Sequence, residues 1–325
     1  MTNLDNFSKY SFFPIQHENL LKYYRLQFDM IWTAQEIDMS QDRHDWKTLD
    51  PKTQRLIKFV LCFFAQADGL VIENISKRFQ DESSDILKEA GHFYAVQNLV
   101  ETVHNEMYSI MIDVFITEPD EQARALNAIQ HYPSIRQIAL WMKKWMESDR
   151  PLRERVVAFA CIEGIVFVAL FVAIWYIKRQ NKLPGLCKAN EFIARDEALH
   201  ALFAVELYHT LKLNTNDWPE EDKEEETVFS IVKDAVTIAE DLIKNSLEND
   251  LVGLKAEDLV EYVHMTADNL VTQLGFQPLY RASNPFEWMV AIGIPNRTNF
   301  FEQRVSEYSK LGSKSTLEFD TTVDF

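Results

Sequence analysis

The sequence predicts an all-α protein, on the basis of three observations. Apolar residues recur with the 3.6-residue period of helices along most of the 325 residues, whereas few windows alternate as strands do. Only 8 residues are glycine and 47% are hydrophobic, which allows a large helical core. A Glu-x-x-His motif occurs twice, at Glu101–His104 and Glu197–His200, and this spacing places both side chains on one face of a helix.

The helical pattern continues through residues 1–304, which we expect to form one domain. Asp50 is a typical N-cap followed by proline at the first helical position. Pro184-Gly185 predicts a turn, and Ser283-Asn284-Pro285 interrupts the pattern. No helical period remains from Leu311 onward, and residues 305–325 are predicted to form a flexible tail. The predicted helices span approximately residues 17–32, 51–79, 84–116, 120–130, 134–148, 152–180, 188–211, 227–248 and 256–273.

The apolar run from Val156 to Ile177 has two interpretations. It is long enough to span a bilayer. It contains Glu163 near its middle, however, and a carboxylate at mid-membrane is unfavourable. The same run fits a helix buried on all sides within a large bundle, which is the interpretation we favour. We therefore expect no association with a membrane.

Charge and cysteine content exclude several further classes of protein. The net charge of −17 argues against a nucleic-acid-binding protein, which would need a basic surface. The cysteines Cys62, Cys161 and Cys187 are odd in number, widely spaced and free of any CxxC motif, as expected for core thiols in a reducing compartment. The N-terminus lacks the apolar segment of a secretory signal, so we expect a cytoplasmic protein.

The two Glu-x-x-His motifs predict a metal centre when two further acids are added. Glu163 is the only charged residue in its apolar run, and Asp68 also lies in an apolar stretch. A lone buried acid must be paired, protonated or bound to metal. Four carboxylates and two histidines form the ligand set of dinuclear sites in ferritin-like helical bundles, and they suit iron or manganese. A single Glu-x-x-His is commonly a surface pair, but chance poorly explains two of them together with two isolated acids.

Helical spacing also predicts the surroundings of this centre. Tyr108 lies one turn after His104 on the same face. Phe167 and Phe171 lie four and eight residues after Glu163, and Ile193 lies four residues before Glu197. Ordinary core packing accounts for the phenylalanines and the isoleucine. Tyr108 differs, because a buried phenol needs a hydrogen-bond partner or is a redox-active group kept from solvent.

Asp196 adjoins the second motif and has two interpretations. Histidines that bind metal usually donate their other ring N–H to a carboxylate or a carbonyl, so Asp196 is a candidate acceptor for His104 or His200. An ion pair with the neighbouring Arg195 is the alternative. The sequence leaves these two roles open.

These features together resemble the small, radical-carrying subunit of class I ribonucleotide reductases, most strongly the eukaryotic-type proteins and their viral relatives. The resemblance extends from about Tyr23 to Phe325 and is highly specific in combination. Ile31 and Gln35 depart from the aromatic residue and the acid that are usual in that family. The segments that resemble it are Ile31–Asp38, Ala67–Gly69, Glu101–Tyr108, Glu163–Phe167, Pro184–Leu186, Arg195–His200, Asn284–Phe286, Asn299–Val305 and Val323–Phe325.

The resemblance implies a ferritin-like bundle with a carboxylate-bridged pair of metal ions. It implies two oxygen-bridged iron ions, with manganese as the other possible metal, which react with O2 and generate a stable tyrosyl radical. By position, Asp68, Glu101 and His104 would bind one metal, and Glu163, Glu197 and His200 the other, with Glu101 and Glu197 bridging. Tyr108 matches the radical tyrosine, and Phe167, Phe171 and Ile193 match the pocket that shields it.

The resemblance further implies a path for the radical out of this chain. Trp32, linked through Asp196 and His104, matches the tryptophan that relays electrons to the metals, and Tyr308 matches the tail tyrosine that passes the radical on. The residues Val323, Asp324 and Phe325 match the peptide that docks to the large subunit. The substrate would bind to that subunit, which agrees with the lack of a glycine-rich phosphate loop here. A homodimer is expected from the resemblance alone.

Two other functions share parts of this pattern. A self-contained diiron oxygenase or desaturase has the same ligands but needs a substrate cavity beside the metals, where Phe167, Phe171 and Ile193 are expected to pack. An iron-storage bundle of the ferritin type is disfavoured by the length of the chain and by its tail.

Overall fold

The computed structural model describes residues 10–215, 223–247 and 251–291. Within these ranges the chain forms helices and no strand. Leu251 and Leu254 form an isolated antiparallel β-bridge. The predicted all-α fold is therefore confirmed. The predicted tail over residues 305–325, with Tyr308, Val323, Asp324 and Phe325, lies outside the described residues.

The helices are as follows in chain order. They are α1 Glu18–Asp29, α2 Ser40–Trp46, α3 Pro51–Asn74, α4 Gln80–Ile86, α5 Lys88–Phe115, α6 Pro119–Ala125, α7 Ala128–His131, α8 Pro133–Met146, α9 Leu152–Cys161, α10 Phe167–Arg179, α11 Pro184–Asn214, α12 Glu224–Ser246, α13 Ala256–Gln273 and α14 Trp288–Ala291. A 3₁₀ turn covers Ala34–Glu36, and π-helical segments cover Ile75–Phe79 and Ile162–Val166.

Four long helical units form the centre of the bundle. Helix α3 packs against α5, α5 packs against α11, and α11 packs against both α9 and α10. Helix α1 covers the groove between α5 and α11, while α12 and α13 cover the outer side of α9 and α10. Their apolar residues join into one continuous core, so the fold places the faces of α3, α5, α9–α10 and α11 toward a common interior.

The apolar run predicted over 152–180 is a core helix rather than a membrane span. The segment Leu152–Arg179 is long and apolar enough to cross a membrane, but its apolar window is entirely buried inside the fold. It is divided by the π-helical segment Ile162–Val166, which contains Glu163. Covering helices on all sides supply the apolar environment that a bilayer would otherwise provide.

Helix α11 begins at Pro184, four residues before the predicted start, so Pro184-Gly185 is the first turn of the helix rather than a loop. Asp42, on the short helix α2 that the sequence pattern did not reveal, explains the difference. Its carboxylate accepts the N–H of Gly185 at 2.8 Å and the N–H of Leu186 at 2.7 Å. Position 185 needs glycine, since a Cβ there would lie 2.6 Å from the carbonyl oxygen of Asp38.

The segment between α1 and α2 brings Trp32 into the core. Helix α1 ends at Asp29, earlier than predicted, and Trp32 is only 4% exposed although it lies outside a helix. The next residue, Thr33, is the N-cap of the 3₁₀ turn, and its backbone N–H donates to the Glu36 carboxylate at 2.8 Å. This reciprocal capping fixes the chain directly after Trp32.

We expect the substitution Asp42→Ala to lower the free energy of unfolding of the metal-free protein by about 3 kcal/mol. It leaves two buried backbone N–H groups without an acceptor, and each such group costs about 1–3 kcal/mol. Urea unfolding monitored by circular dichroism measures the change. Asp120→Ala, at an exposed first-turn position of α6, is the matched control and should change stability by less than about 0.5 kcal/mol. Equal effects of the two substitutions would rule out this capping role.

Candidate metal centre

The structure brings the six predicted metal ligands into the interior of the bundle. Helix α3 supplies Asp68, the π-helical segment of the apolar helix supplies Glu163, and α5 and α11 each supply one Glu-x-x-His pair. Every one of the six is at most 1% exposed. Ligand atoms of Glu101, Glu163, Glu197 and His200 all lie within 4.8 Å of one another.

Glu101 and Glu197 occupy the middle of the cluster. The Nδ1 atom of His104 lies 3.0 Å from Glu197 Oε1 and 3.4 Å from Glu101 Oε2. The Nδ1 atom of His200 lies 3.0 Å from Glu101 Oε1 and 3.0 Å from Glu197 Oε2. Each carboxylate thus faces both imidazoles, which is the arrangement required of a ligand that bridges two ions.

Unpartnered atoms in this cluster show that the residues fit a pair of cations. Within the described part of the chain, neither oxygen of Asp68 has a hydrogen-bond partner. The same holds for one carboxylate oxygen of Glu163, whereas Glu101 Oε2 and Glu197 Oε1 both face the single Nδ1 atom of His104. Buried anionic oxygens without partners are strongly unfavourable. Four carboxylates also balance the charge of two divalent ions, and their oxygen and nitrogen donors suit iron or manganese.

The close approach of these acids raises the pKa of some carboxyl groups and lowers the pKa of another. Burial, reinforced by the charge of Glu101, raises the pKa of Asp68 well above its usual value, and burial together with Glu197 does the same for Glu163. Glu197 has a lowered pKa in spite of its burial, because Glu163 and both imidazoles stabilise its charged form. Burial opposes protonation of His200, but Glu101 and Glu197 raise its pKa to about 9. The metal-free centre therefore retains protons at neutral pH.

Gln97 is a neighbour of this centre that the sequence interpretation missed. It is fully buried, and its Nε2 donates to Glu101 Oε1 at 3.1 Å and to Glu163 Oε1 at 3.5 Å. The available signal was its spacing, because Gln97 lies one helical turn before Glu101 on the same face. Its amide holds these two carboxylates in position from outside the cluster.

Asp196 takes on both of the roles that the sequence left open. Its Oδ2 lies 3.2 Å from Nε2 of His104 and accepts the indole N–H of Trp32 at 2.8 Å. Its Oδ1 accepts from the guanidinium of Arg195 at 3.0 Å. Burial would raise the pKa of Asp196, but the hydrogen bond from His104 and the charge of Arg195 lower it, so this carboxylate stays ionised. An unbroken hydrogen-bonded chain thus connects Trp32 to the centre.

Tyr108 lies in a wall of aromatic rings. Its side chain is 1% exposed, and its hydroxyl has no hydrogen-bond partner among the described residues. Its ring stacks on Phe64, with centroids 4.8 Å apart and planes inclined by 7°. Phe64 in turn stacks on Phe171 at 5.0 Å and lies 5.4 Å from Phe167. Ile193 is buried on α11, one turn before Glu197.

Phe64 was not among the predicted pocket residues, although it makes the most direct ring contact with Tyr108. It lies one turn before Asp68 on α3, so the same spacing argument that selected Phe167 would have found it. Burial raises the pKa of the Tyr108 hydroxyl well above its usual value, with Asp68 as the next largest cause. The phenol is consequently neutral.

Comparison with known proteins agrees with this geometry. The sequence model of the family described as "Ribonucleotide reductase, small chain" matches residues 9–285. The chain belongs to the ribonucleotide reductase small-chain family. Residues 9–285 include the six clustered side chains, Trp32 and Tyr108.

Individual relatives in the family are similar over nearly their whole length. The ribonucleoside-diphosphate reductase small chain of Nicotiana tabacum is 39% identical over 98% of this chain and 95% of its own. That of Vaccinia virus (strain Ankara) is 38% identical over 98% of both chains. Among solved structures, the ribonucleotide reductase Rnr4 homodimer of Saccharomyces cerevisiae has a TM-score of 0.75 at 26% identity, covering 92% of this chain and 89% of that one.

Membership in the family confirms the predicted activity class, which is the small subunit of ribonucleoside-diphosphate reductase, an oxidoreductase. It also confirms the ferritin-like bundle. Small chains of this family depend on a dinuclear metal centre, and the buried carboxylate and histidine cluster fits one. A self-contained oxygenase or desaturase is not favoured.

We expect binding of divalent metal to the apo-protein to release protons and to tighten by about tenfold or more per pH unit between pH 7 and pH 9, since Asp68 and Glu163 retain protons as well as His200. Metal needs the neutral imidazole, and His200 keeps its proton up to a pKa of about 9. Anaerobic calorimetry with Mn(II), in buffers of different ionisation enthalpy, counts the protons released. His264→Gln is the control, because His264 is also paired with an acid, at 2.8 Å from Glu240, but lies outside the cluster. Binding that is independent of pH would contradict this expectation.

Proposed function

We propose that this small subunit holds two iron ions, generates a tyrosyl radical at Tyr108 and passes it to the large subunit, which reduces ribonucleotides. The observation that carries the proposal is the buried, unpartnered phenol of Tyr108 beside Asp68, an acid whose two oxygens also lack hydrogen-bond partners among the described residues. Neither feature is expected of a core that exists only for stability, because each unpartnered buried group is unfavourable. Tyr94 is a second buried phenol without a hydrogen-bond partner among the described residues, but Glu163 is the acid that acts on it, whereas Asp68, Glu197 and Glu101 all act on Tyr108.

The proposed ligands are the six clustered side chains, with Glu101 and Glu197 shared between the two ions. Their oxygen-rich set accepts iron or manganese, and we propose iron for this chain. When bound, the ions supply a redox-active pair that reacts with O2 and withdraws one electron from a nearby side chain. Metal analysis of protein isolated from its own cells would distinguish iron from manganese.

The protein's own contribution begins with the proton of Tyr108. A phenol that loses one electron becomes strongly acidic, so its proton must leave with the electron. Asp68 is the acid with the largest electrostatic effect on Tyr108, and neither of its oxygens has another hydrogen-bond partner. We propose that Asp68, which would be ionised once the metals are bound, receives this proton.

The aromatic wall then protects the oxidised side chain. Phe64 covers one face of Tyr108, and Phe167 and Phe171 lie behind it. None of these rings offers a hydrogen atom on a heteroatom, and together they exclude water. Phe64, the ring that stacks on Tyr108, cannot donate a hydrogen atom to the resulting phenoxyl group.

The proposed route out of the subunit begins at Trp32. Its indole N–H donates to Asp196, and Asp196 contacts His104. One electron can therefore move between Trp32 and the centre while a proton shifts along the same hydrogen bonds. Beyond Trp32 we propose transfer through Tyr308, with the last residues Val323, Asp324 and Phe325 docking to the large subunit, as the family resemblance implies.

We also propose that the subunit is a homodimer in the cytoplasm. A related yeast protein is described as a homodimer. Phe28 on α1 and Leu99 on α5 are 58% and 52% exposed, and these two helices pack side by side. Exposed apolar residues on adjacent helices are typical of a surface that a second copy covers.

We expect the substitution Tyr108→Phe to abolish the tyrosyl radical while leaving metal content unchanged. The ring still fills its place against Phe64, but a phenylalanine is far harder to oxidise. Electron paramagnetic resonance after loading with Fe(II) and admitting O2 measures the radical, and atomic absorption measures the metal. Tyr262→Phe, which alters another fully buried tyrosine on α13, should keep the signal. A persistent signal in Tyr108→Phe would reject the radical site.

We expect deletion of residues 316–325 to abolish nucleotide reduction with the large subunit and to leave the radical intact. The deleted residues include the proposed docking peptide, whereas every residue of the cluster remains. Assays of reduction and of the resonance signal on one sample test this division. Trp32→Phe, which removes the indole donor to Asp196, should slow reduction by about a hundredfold. Loss of the radical in the truncated protein would contradict the proposed docking role.

A further inference from the structure

A second group of unpartnered polar atoms lies away from the metal centre. It surrounds a cavity of about 20 Å³ between the end of α3, helix α8 and helix α9. Leu70, Phe79, Phe159 and Ile162 form part of its apolar wall. A cavity of this size has room for one occupant of about the size of a water molecule or a halide ion.

The unpartnered polar atoms of the residues that line the cavity are mostly donors. Nε1 of Trp141, Nε1 of Trp145 and Nη1 of Arg155 are buried and have no hydrogen-bond partner. Oδ1 of Asn74 is the unpartnered acceptor in the same wall. Trp141 and Arg155 are only 8% and 4% exposed, and the two indole rings lie 6.0 Å apart. Three donors against one acceptor favour an occupant that accepts several hydrogen bonds and donates none.

Arg155 makes one hydrogen bond from each of its other two nitrogens, whereas Nη1 makes none to the described residues. Its Nε donates to the carbonyl oxygen of Arg150 at 2.8 Å, and its Nη2 donates to Glu82 Oε2 at 2.6 Å. Nη1 therefore stays beside the cavity because the rest of the guanidinium is held in place. A donor fixed in this way is suited to a bound ligand rather than to solvent.

The charges near the cavity favour an anion over water. Glu82 is shared between Arg155 and Arg78, whose Nε lies 3.0 Å from Glu82 Oε1, so two guanidinium groups face one carboxylate. Lys143 also lines the cavity, and the described lining residues include no aspartate or glutamate. Lys143 acts on Glu73, but that carboxylate is already paired with Lys77. Two guanidinium groups around Glu82 leave one net positive charge, and the two lysines around Glu73 leave another.

We propose that this cavity is a binding site for a small inorganic anion of halide size, held by Arg155, Trp141 and Trp145. Phe79 ends one π-helical segment and Ile162 begins the other, and both line the cavity. Hydrogen bonds from Arg155, Trp141 and Trp145 to the bound anion connect the helices that pack beside these two segments. The anion thereby stabilises the backbone that carries Glu163 without contacting the metal ligands.

Crystals of the metal-loaded protein grown in bromide, with diffraction recorded at the bromine absorption edge, locate the ion. We expect an anomalous peak in the cavity within hydrogen-bonding distance of Arg155 Nη1. In solution, replacing gluconate by chloride at constant ionic strength should raise the unfolding temperature by roughly 2 °C or more. Arg155→Gln should lose both the peak and the temperature shift.

A second set of variants keeps the test decisive if Arg155→Gln fails to fold. Trp141→Phe removes one donor and keeps an aromatic ring, and it should weaken halide binding at least tenfold. Trp46→Phe changes a tryptophan outside the cavity, which stacks on Phe115, and it should keep the wild-type response. A solvent peak without anomalous signal would show a buried water molecule and overturn the proposal. A bromide peak without a chloride-dependent temperature shift would show an adventitious ion only, which also overturns it.

Discussion

The burial of charge at the metal centre is the constraint on which the rest of the structure depends. Four carboxylates and two imidazoles lie in an apolar interior with almost no exposure to solvent. Without cations, the fold accommodates them by retaining protons on Asp68, Glu163 and His200, as their raised pKa values show. Most of the other buried residues on the same helices are apolar, since hydrophobic burial is what offsets this unfavourable core. Metal binding and the stability of the bundle are consequently linked.

Asp196 shows how one side chain serves both structure and transfer. Its ion pair with Arg195 and its contact with His104 are compatible, because they use different oxygens of one carboxylate. Arg195 also donates to the carbonyl oxygen of Met30 at 2.7 Å, two residues before Trp32. The arginine therefore positions the loop that carries the indole, while Asp196 receives the indole N–H. The hydrogen-bonded chain is stabilised from both ends.

Local spacing was predictable from the sequence, and contacts between distant segments were not. The Glu-x-x-His pairs, Tyr108 and Phe167 follow from one helical period, and Gln97 and Phe64 follow from the same rule applied one turn earlier. Asp42, in contrast, caps a helix whose first turn is 143 residues away, and no local pattern indicates such a partner. The π-helical segment at Glu163 was equally hidden, because a helix that is apolar on every face has no stripe whose shift would reveal an inserted residue.

The helices that carry two metal ligands are more regular than the segments that carry one. The difference follows from the number of ligands that each must position. Helices α5 and α11, which carry the Glu-x-x-His pairs, are uninterrupted over 28 and 31 residues. Each must keep two ligands on one face, and only regular α-helical spacing does so. The single acids lie near π-helical segments, one of which follows α3 seven residues after Asp68 while the other contains Glu163. One ligand tolerates a local change of helical phase, and π-helical segments are frequent at functional sites. The regular pair fixes the position of the centre, and the π-helical segment around Glu163 changes the direction in which that one acid leaves its helix.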